Sequence, residues 1–295
     1  MIFDLFLNEQ NISFYFRIGL HGTYELETDV KITNLINDDP VIYQAHWMDR
    51  AKDIEEPIVV VERNEEPSEH EQKIYSTFKN HRRIIRTYGF VKNNRRKVMI
   101  LQEQAPHGNL LSLLQSGQFQ PSAAVLVEIS LQIAKTMIEI THHGLIHGDL
   151  RCENIYVFRM HPTDPEKNSV KLANFALAQP KNASHDDNRR LPIAVRYCAL
   201  EILRSAGHSN YSIWSDVYSM GVLMWQAFSQ GKRPYDSSET NGEVRQRKLK
   251  EEKLPKPIFC PESIWSIIGN CWHNEPTVRY GFEHIVACLN SFDQQ

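Results

Sequence analysis

An α+β fold in two lobes, the first rich in strands and the second helical, is what this 295-residue chain predicts. Three observations carry the prediction. Up to residue 103, short apolar runs alternate with charged or turn-like stretches, the pattern of strands. From Gly108 onward the apolar residues recur at helical spacing instead. The length exceeds a typical single-core domain and suits two lobes, expected at residues 1–103 and 104–295.

In chain order, the strands read as ISFYFRIG, KITNLI, PVIYQAHW and PIVVVER, then IIRTYGFV and KVMILQE around the turn-like stretch Lys92 to Arg96. EHEQKIYSTFKN between them reads as a single helix. In the second lobe Pro121 opens a helix whose Val125, Ile129, Ile133 and Met137 recur every four residues, and Gly144 closes it. NIYVF and VKLANF are short strands, separated by HPTDPEKNS, whose two prolines predict an exposed connection. Trp214 to Phe228 is apolar nearly all round, as a helix at the centre of a lobe would be. The mixed-charge run EVRQRKLKEEK, Glu243 to Lys253, reads as a solvated helical face.

Composition excludes several classes. With 41% hydrophobic and 23% charged residues and a net charge of -3, nothing argues for disorder or for nucleic-acid binding. No apolar run is long enough to span a bilayer, and Asp4 and Glu9 interrupt the N-terminus where a signal peptide stays apolar, so no direct membrane insertion is expected. The five cysteines lie far apart without a CxxC pair, which fits a reducing cytoplasm better than a disulfide framework or a zinc site. His142, His143 and His147 form a metal cluster on paper only, since the first two fall at a helix end.

Two segments carry the chemistry. HGDLRCEN, His147 to Asn154, followed by ANFAL, Ala173 to Leu177, resembles the catalytic loop and metal-binding turn of protein kinases. Kinases place His-Arg-Asp, an Asn five residues beyond the Asp, and Asp-Phe-Gly at these points, supplying a base and two metal ligands. Here Asp149 and Asn154 stand, but Gly148 replaces the Arg, and the turn is Asn174, Phe175 and Ala176. Further signatures follow in the family's order: RYCALE with Glu201, SDVYSMGVLMW with Asp216, and CWHNEPTVR with Arg279. Arg151, two after Asp149, suits the tyrosine-kinase branch.

A closer resemblance is to the pseudokinase domain of Janus kinases. It rests on the opening MIFDLFLNEQNISFYFRIGLHGTYE, on LIHG without its Arg, on the insert after NIYVF, and on MILQE. The chain reverses that family's usual pattern, keeping Asp149 and losing the metal-binding Asp. The resemblance implies a degenerate nucleotide site of Gly19, Gly22, Arg63, gatekeeper Gln102, hinge Glu103, Asn154 and Asn174, with Asp149 as a degenerate catalytic residue and no metal. It gives structural or regulatory roles to Glu71 (with Glu69 as alternative), His147, Phe175, Glu201, Asp216 and Arg279.

Most departures act on charge. The neutral amide of Asn174 removes an anionic oxygen from a magnesium shell. PIVVVER offers Val61, Glu62 or Arg63 where a phosphate-holding lysine belongs, Arg63 being the one stand-in. Glu25 takes the third glycine of the phosphate loop, and Tyr156 sits where a Leu underlies adenine. No cofactor, or at most weak ATP binding, is the expectation. The resemblance implies a regulatory domain that autoinhibits an adjacent tyrosine kinase domain of the same polypeptide, with a cytokine receptor and STAT proteins as partners of the parent protein. Charge reversal at Glu71 or Glu69 is then expected to raise basal kinase output while the domain stays folded. A weakly active kinase and a non-catalytic scaffold are the rival readings.

Overall fold

The computed structural model describes residues 24, 26, 30–38, 41–48, 57–63, 68–92, 98–182, 193–205, 211–235 and 238–292. The chain divides into two compact units, Met1–Gln104 and Ala105–Gln295.

The first unit is built on a five-stranded antiparallel sheet ordered β1-β2-β3-β5-β4. Its strands are β1 (Val30–Asp38), β2 (Val41–Trp47), β3 (Ile58–Arg63), β4 (Thr87–Lys92) and β5 (Val98–Glu103). Their β-branched and aromatic residues suit a pleated, half-buried surface. Alternation along β3 sends Ile58 and Val60 into a core with Val30, Ala45, Tyr88, Met99 and Leu101. Trp47 closes that core, meeting the Tyr24 and Tyr88 rings edge-on at 4.7 and 5.5 Å. The one helix among the described residues of this unit, α1 (Glu69–Thr77), starts where the Ser68 side chain accepts the Glu71 backbone N–H. The strand expected at ISFYFRIG lies outside the described residues.

The second unit is mainly helical, its elements being α2 (Leu110–Gln115), α3 (Ala123–His142), β6 (Leu145–Ile146), β7 (Ile155–Arg159), β8 (Ser169–Leu172), β9 (Gln179–Pro180), α4 (Leu200–Arg204), α5 (Ile213–Phe228), α6 (Asn241–Leu249), α7 (Glu262–Cys271) and α8 (Phe282–Asn290). Helix α3 buries the predicted Val125, Ile129, Ile133 and Met137. Just past its end Gly144 takes φ +69°, a left-handed value that favours glycine. Helix α5 is buried from Ser215 to Phe228, and a capping box between Ser212 and Ser215 fixes its start. Gly221 lets α5 approach α7 closely, since a Cβ there would fall 2.7 Å from the Cys271 Cβ and from the Trp272 indole nitrogen.

The connection HPTDPEKNS is exposed at Pro162, Thr163, Glu166 and Lys167, as expected, but it is ordered from within by Asn168, which is buried. The Asn168 amide nitrogen donates to the carbonyls of His161, Asp164 and Pro165, and its side-chain oxygen accepts the His161 N–H at 2.9 Å. Gln132 of α3 donates to the Asn168 carbonyl and accepts the Val170 N–H. One polar residue of the connection, Asn168, is thus used internally.

Candidate functional site

The segment after β6 hangs from one carboxylate. Asp216, in the first turn of α5, accepts the backbone N–H groups of His147 at 2.7 Å and Gly148 at 2.9 Å. Burial nevertheless pushes the Asp216 carboxyl up to about 7, the two N–H donors opposing the shift. The His147 ring accepts the Asp149 N–H at Nδ1 and lies 3.1 Å from the Ala173 carbonyl through Nε2, which fixes the neutral Nε2–H tautomer. Its burial lowers its pKa to about 4. The ring also meets Phe175 edge-on, centroids 5.0 Å apart, so the predicted His147 and Phe175 are packed together in the core.

Gly148 is a conformational requirement as well as a missing cation. It adopts φ +78°, and a Cβ built on it would lie 2.7 Å from the Leu177 carbonyl oxygen.

Asp149, Asn154 and Asn174 converge. Asn154 Nδ2 donates to the Asp149 carbonyl at 2.6 Å and to its Oδ2 at 2.8 Å. Asn174 Nδ2 donates to the same Oδ2 and to Asn154 Oδ1, each at 3.2 Å. Arg151 Nε lies 3.1 Å from Asp149 Oδ1. Burial raises the Asp149 pKa, with the Arg151 charge and the Asn154 hydrogen bond working against it. Asn174 sits at φ 65°, a left-handed conformation that Asn tolerates better than most residues.

This donor set does not fit magnesium. A carboxylate accepts only, so Asn174 must turn its amide N–H toward Asp149, and its amide carries no negative charge to the shell. The Asn154 oxygen that would face a cation accepts the Asn174 N–H instead. Asp149 is the one anionic oxygen donor in the cluster, and Arg151 and two amides already surround it.

The other predicted residues of this unit have structural partners. Arg279 is buried and forms a two-pronged pair with Glu201 at 2.7 and 2.8 Å, also donating to the carbonyls of Trp214 and His273. Tyr156 on β7 is half-buried and bridges to Asn109. His142 lies 3.7 Å from Glu283 at the surface, and His143 caps α3, so neither joins His147.

In the first unit, Gln102 is buried opposite Val59 and donates to the Thr87 hydroxyl at 3.0 Å. Glu103 accepts the Arg86 backbone N–H at 2.7 Å. Arg63 ends β3 opposite Val98. Glu71 is 2% exposed whereas Glu69 is exposed. Charge reversal at Glu71 would therefore bury a cation and threaten folding, contrary to expectation, and Glu69 is the usable surface position. Gly19, Gly22 and Glu25 lie outside the described residues. They precede the hairpin of β1 and β2, whose connection holds Asp39 and Pro40 and no glycine.

Sequence reasoning missed Lys248. The run Glu243 to Lys253 is not uniformly solvated, for Val244 and Lys248 are buried. Thr240 and Glu243, a capping box, signal the helix start, and from there Val244 and Lys248 share a face four residues apart.

Comparison with known proteins agrees with this geometry. The protein tyrosine and serine/threonine kinase family profile matches residues 41–289. The megakaryocyte-associated tyrosine-protein kinase of Rattus norvegicus is 31% identical over 210 residues, 71% of this chain and 42% of that protein. Tyrosine-protein kinase Fer of Rattus norvegicus is 30% identical over 216 residues, 73% of this chain and 25% of that protein. Tyrosine-protein kinase FRK of Homo sapiens is 31% identical over 191 residues, 63% and 36% respectively. The chain thus spans less than half the length of these relatives. No helix among the described residues is long and apolar enough to cross a membrane. With the β-sheet lobe, the helical lobe and the ordered signatures in place, this chain belongs to the protein tyrosine and serine/threonine kinase family, as a domain of the tyrosine-kinase type.

Proposed function

We propose that this domain is catalytically inactive and regulates an adjoining tyrosine kinase domain of a non-receptor, Janus-type kinase in the cytoplasm. The observation that carries the reading is Asn174, whose amide nitrogen binds both Asp149 and Asn154 where a magnesium shell would need anionic oxygen. Phosphoryl transfer is mostly positioning and charge neutralisation, so a site without its metal charges loses most of its rate. The positions that build the fold are intact: His147 with Phe175, Asp216 under the loop, and Glu201 with Arg279. Loss concentrated on charge handling suits a domain whose work is binding or autoinhibition. A cytokine receptor and STAT proteins would then be partners of the parent protein, and ATP would bind weakly at most.

Retention of Asp149 supports the second reading, a weakly active kinase. Two measurements separate them. Melting of the domain with ATP, with and without Mg²⁺, should show little or no metal-dependent gain, whereas a ligand at 100 times its dissociation constant would add about 2.7 kcal/mol. Phosphotransfer to tyrosine peptides should stay at background, and activity abolished by Asp149→Asn would establish the second reading. Deleting the domain from the parent protein should raise basal autophosphorylation; an unchanged rate would reduce it to a scaffold.

A further inference from the structure

Lys248 is a buried cation without a side-chain acid as partner among the described residues. It is 1% exposed on the α6 face that also carries Val244. Its ammonium donates to the carbonyls of Val195 at 3.0 Å, Arg196 at 3.4 Å and Cys198 at 2.6 Å. The Tyr218 and Tyr235 ring centroids stand 5.0 and 5.9 Å away. Three donors thus meet three carbonyls inside an aromatic wall, the arrangement that lets a desolvated ammonium stay charged. Burial lowers its pKa to about 8, which leaves it protonated at neutral pH. Glu201, whose charge acts on Lys248, is taken by Arg279.

The carbonyls belong to a segment lying between residues 183–192 and α4, and other groups hold the same stretch. The Arg196 guanidinium donates to the carbonyls of Pro234 and Glu239 at 2.6 and 2.5 Å. The Tyr197 carbonyl accepts the Ser219 hydroxyl, and its ring hydroxyl pairs with Gln226. Arg245 of α6 reaches the Leu203 carbonyl at 2.5 Å. A buried ion is a poor way to add stability, because an apolar side chain of the same volume packs as well without desolvation cost. Its distinctive effect is on conformation: three converging carbonyls are compatible with one path of the backbone.

We propose that Lys248 is a latch that fixes the segment Val195–Cys198 onto α6 in a single conformation, leaving Tyr197 buried. The latch stands on contacts inside the second unit and does not depend on the functional reading above. The test is hydrogen exchange followed by mass spectrometry on the whole domain, comparing the parent with Lys248→Met and Lys248→Gln. If the latch operates, amides from Arg196 to Leu203 exchange at least about tenfold faster in Lys248→Met while α3 and α5 keep their protection. Lys248→Gln, which keeps a donor but not the charge, should fall between. Equal rates in that segment, or a loss of protection spread evenly over the unit, would overturn the latch. Should Lys248→Met fail to fold, the same comparison on Lys248→Gln decides.

Discussion

Asn174→Asp returns a carboxylate to the turn, and the geometry around Asp149 sets its cost. In the parent, the Asn174 amide nitrogen donates to Asp149 Oδ2 and Asn154 Oδ1, each at 3.2 Å. The substitution removes both bonds, at about 1 kcal/mol each. It also puts like charges at a comparable separation. At an effective dielectric constant of about 20, two unit charges that far apart repel by about 5 kcal/mol. That figure is a ceiling, since the pair can share a proton and Arg151 lies 3.1 Å from the other Asp149 oxygen. The loss at neutral pH therefore lies between about 2 and 7 kcal/mol, a fall in Tm of at least about 4 °C for a domain of this size. Asp149 already has its pKa raised by burial, and the new neighbour raises it further. An acid whose folded pKa lies above its unfolded value favours the fold below the unfolded pKa and loses that contribution as pH rises through the folded one. The Tm gap between variant and parent should therefore widen as pH rises from about 4, the unfolded carboxylate value, toward neutral. Millimolar Mg²⁺ should narrow the gap in the variant and leave the parent unchanged. Thermal melting across that range is the assay; equal melting of the two proteins at every pH would refute the orientation of the Asn174 amide argued above. Phosphotransfer should not appear, because catalytic groups act as a unit and one repair leaves the others limiting.

Gly148→Arg, which restores the missing family residue, should destabilise the domain by at least about 2 kcal/mol in denaturant titration, since a side chain there meets both the left-handed backbone and the Leu177 carbonyl at 2.7 Å; wild-type stability would show that the loop relaxes freely. Asn168→Ala leaves the carbonyls of His161, Asp164 and Pro165 without its amide and should cost about 2–4 kcal/mol by the same titration, while an effect below about 0.5 kcal/mol, the range of ordinary surface substitutions, would return the insert to the status of a loop. His147, held neutral with its pKa lowered to about 4, contributes stability that is present above about pH 6.5 and lost as pH falls through about 4, about 3 kcal/mol in all. That contribution is isolated by comparison with His147→Gln, and a stability difference between the two that does not change with pH would contradict it.

Periodicity made most of the fold legible. The four-residue recurrence of Val125 to Met137 gave α3 to within two residues of its Ala123–His142 span, and the apolar run at Trp214 gave α5. In the site, residue identities revealed which charges were gone, because Asn174 for Asp is visible as a letter. Geometry was not visible. Nothing in a string shows that Gly148 needs φ +78°, or that the Asn174 amide faces Asp149. Polarity misled at Lys248, and at Asn168 within an otherwise exposed connection, because a polar side chain marks solvent only until backbone carbonyls converge on it. The Lys248 error arose from reading net composition over Glu243 to Lys253 in place of the helical register.

The small ladder between β6 and β9 pairs Leu145 with Pro180 and Ile146 with Gln179, and the Lys181 N–H donates to the Gly144 carbonyl at 2.7 Å. Mechanically, this is a clamp across the base of the chain that runs from His147 to Ala178 and bears both degenerate motifs. Tension entering from the chain beyond Lys181 would meet the clamp first and pass to the end of α3, the longest helix among the described residues, before reaching Asn174. A partner that pulls on that segment would load α3 and leave the cluster of Asp149, Asn154 and Asn174 slack until the two rungs part. What stands between the site and such a pull is a few backbone hydrogen bonds.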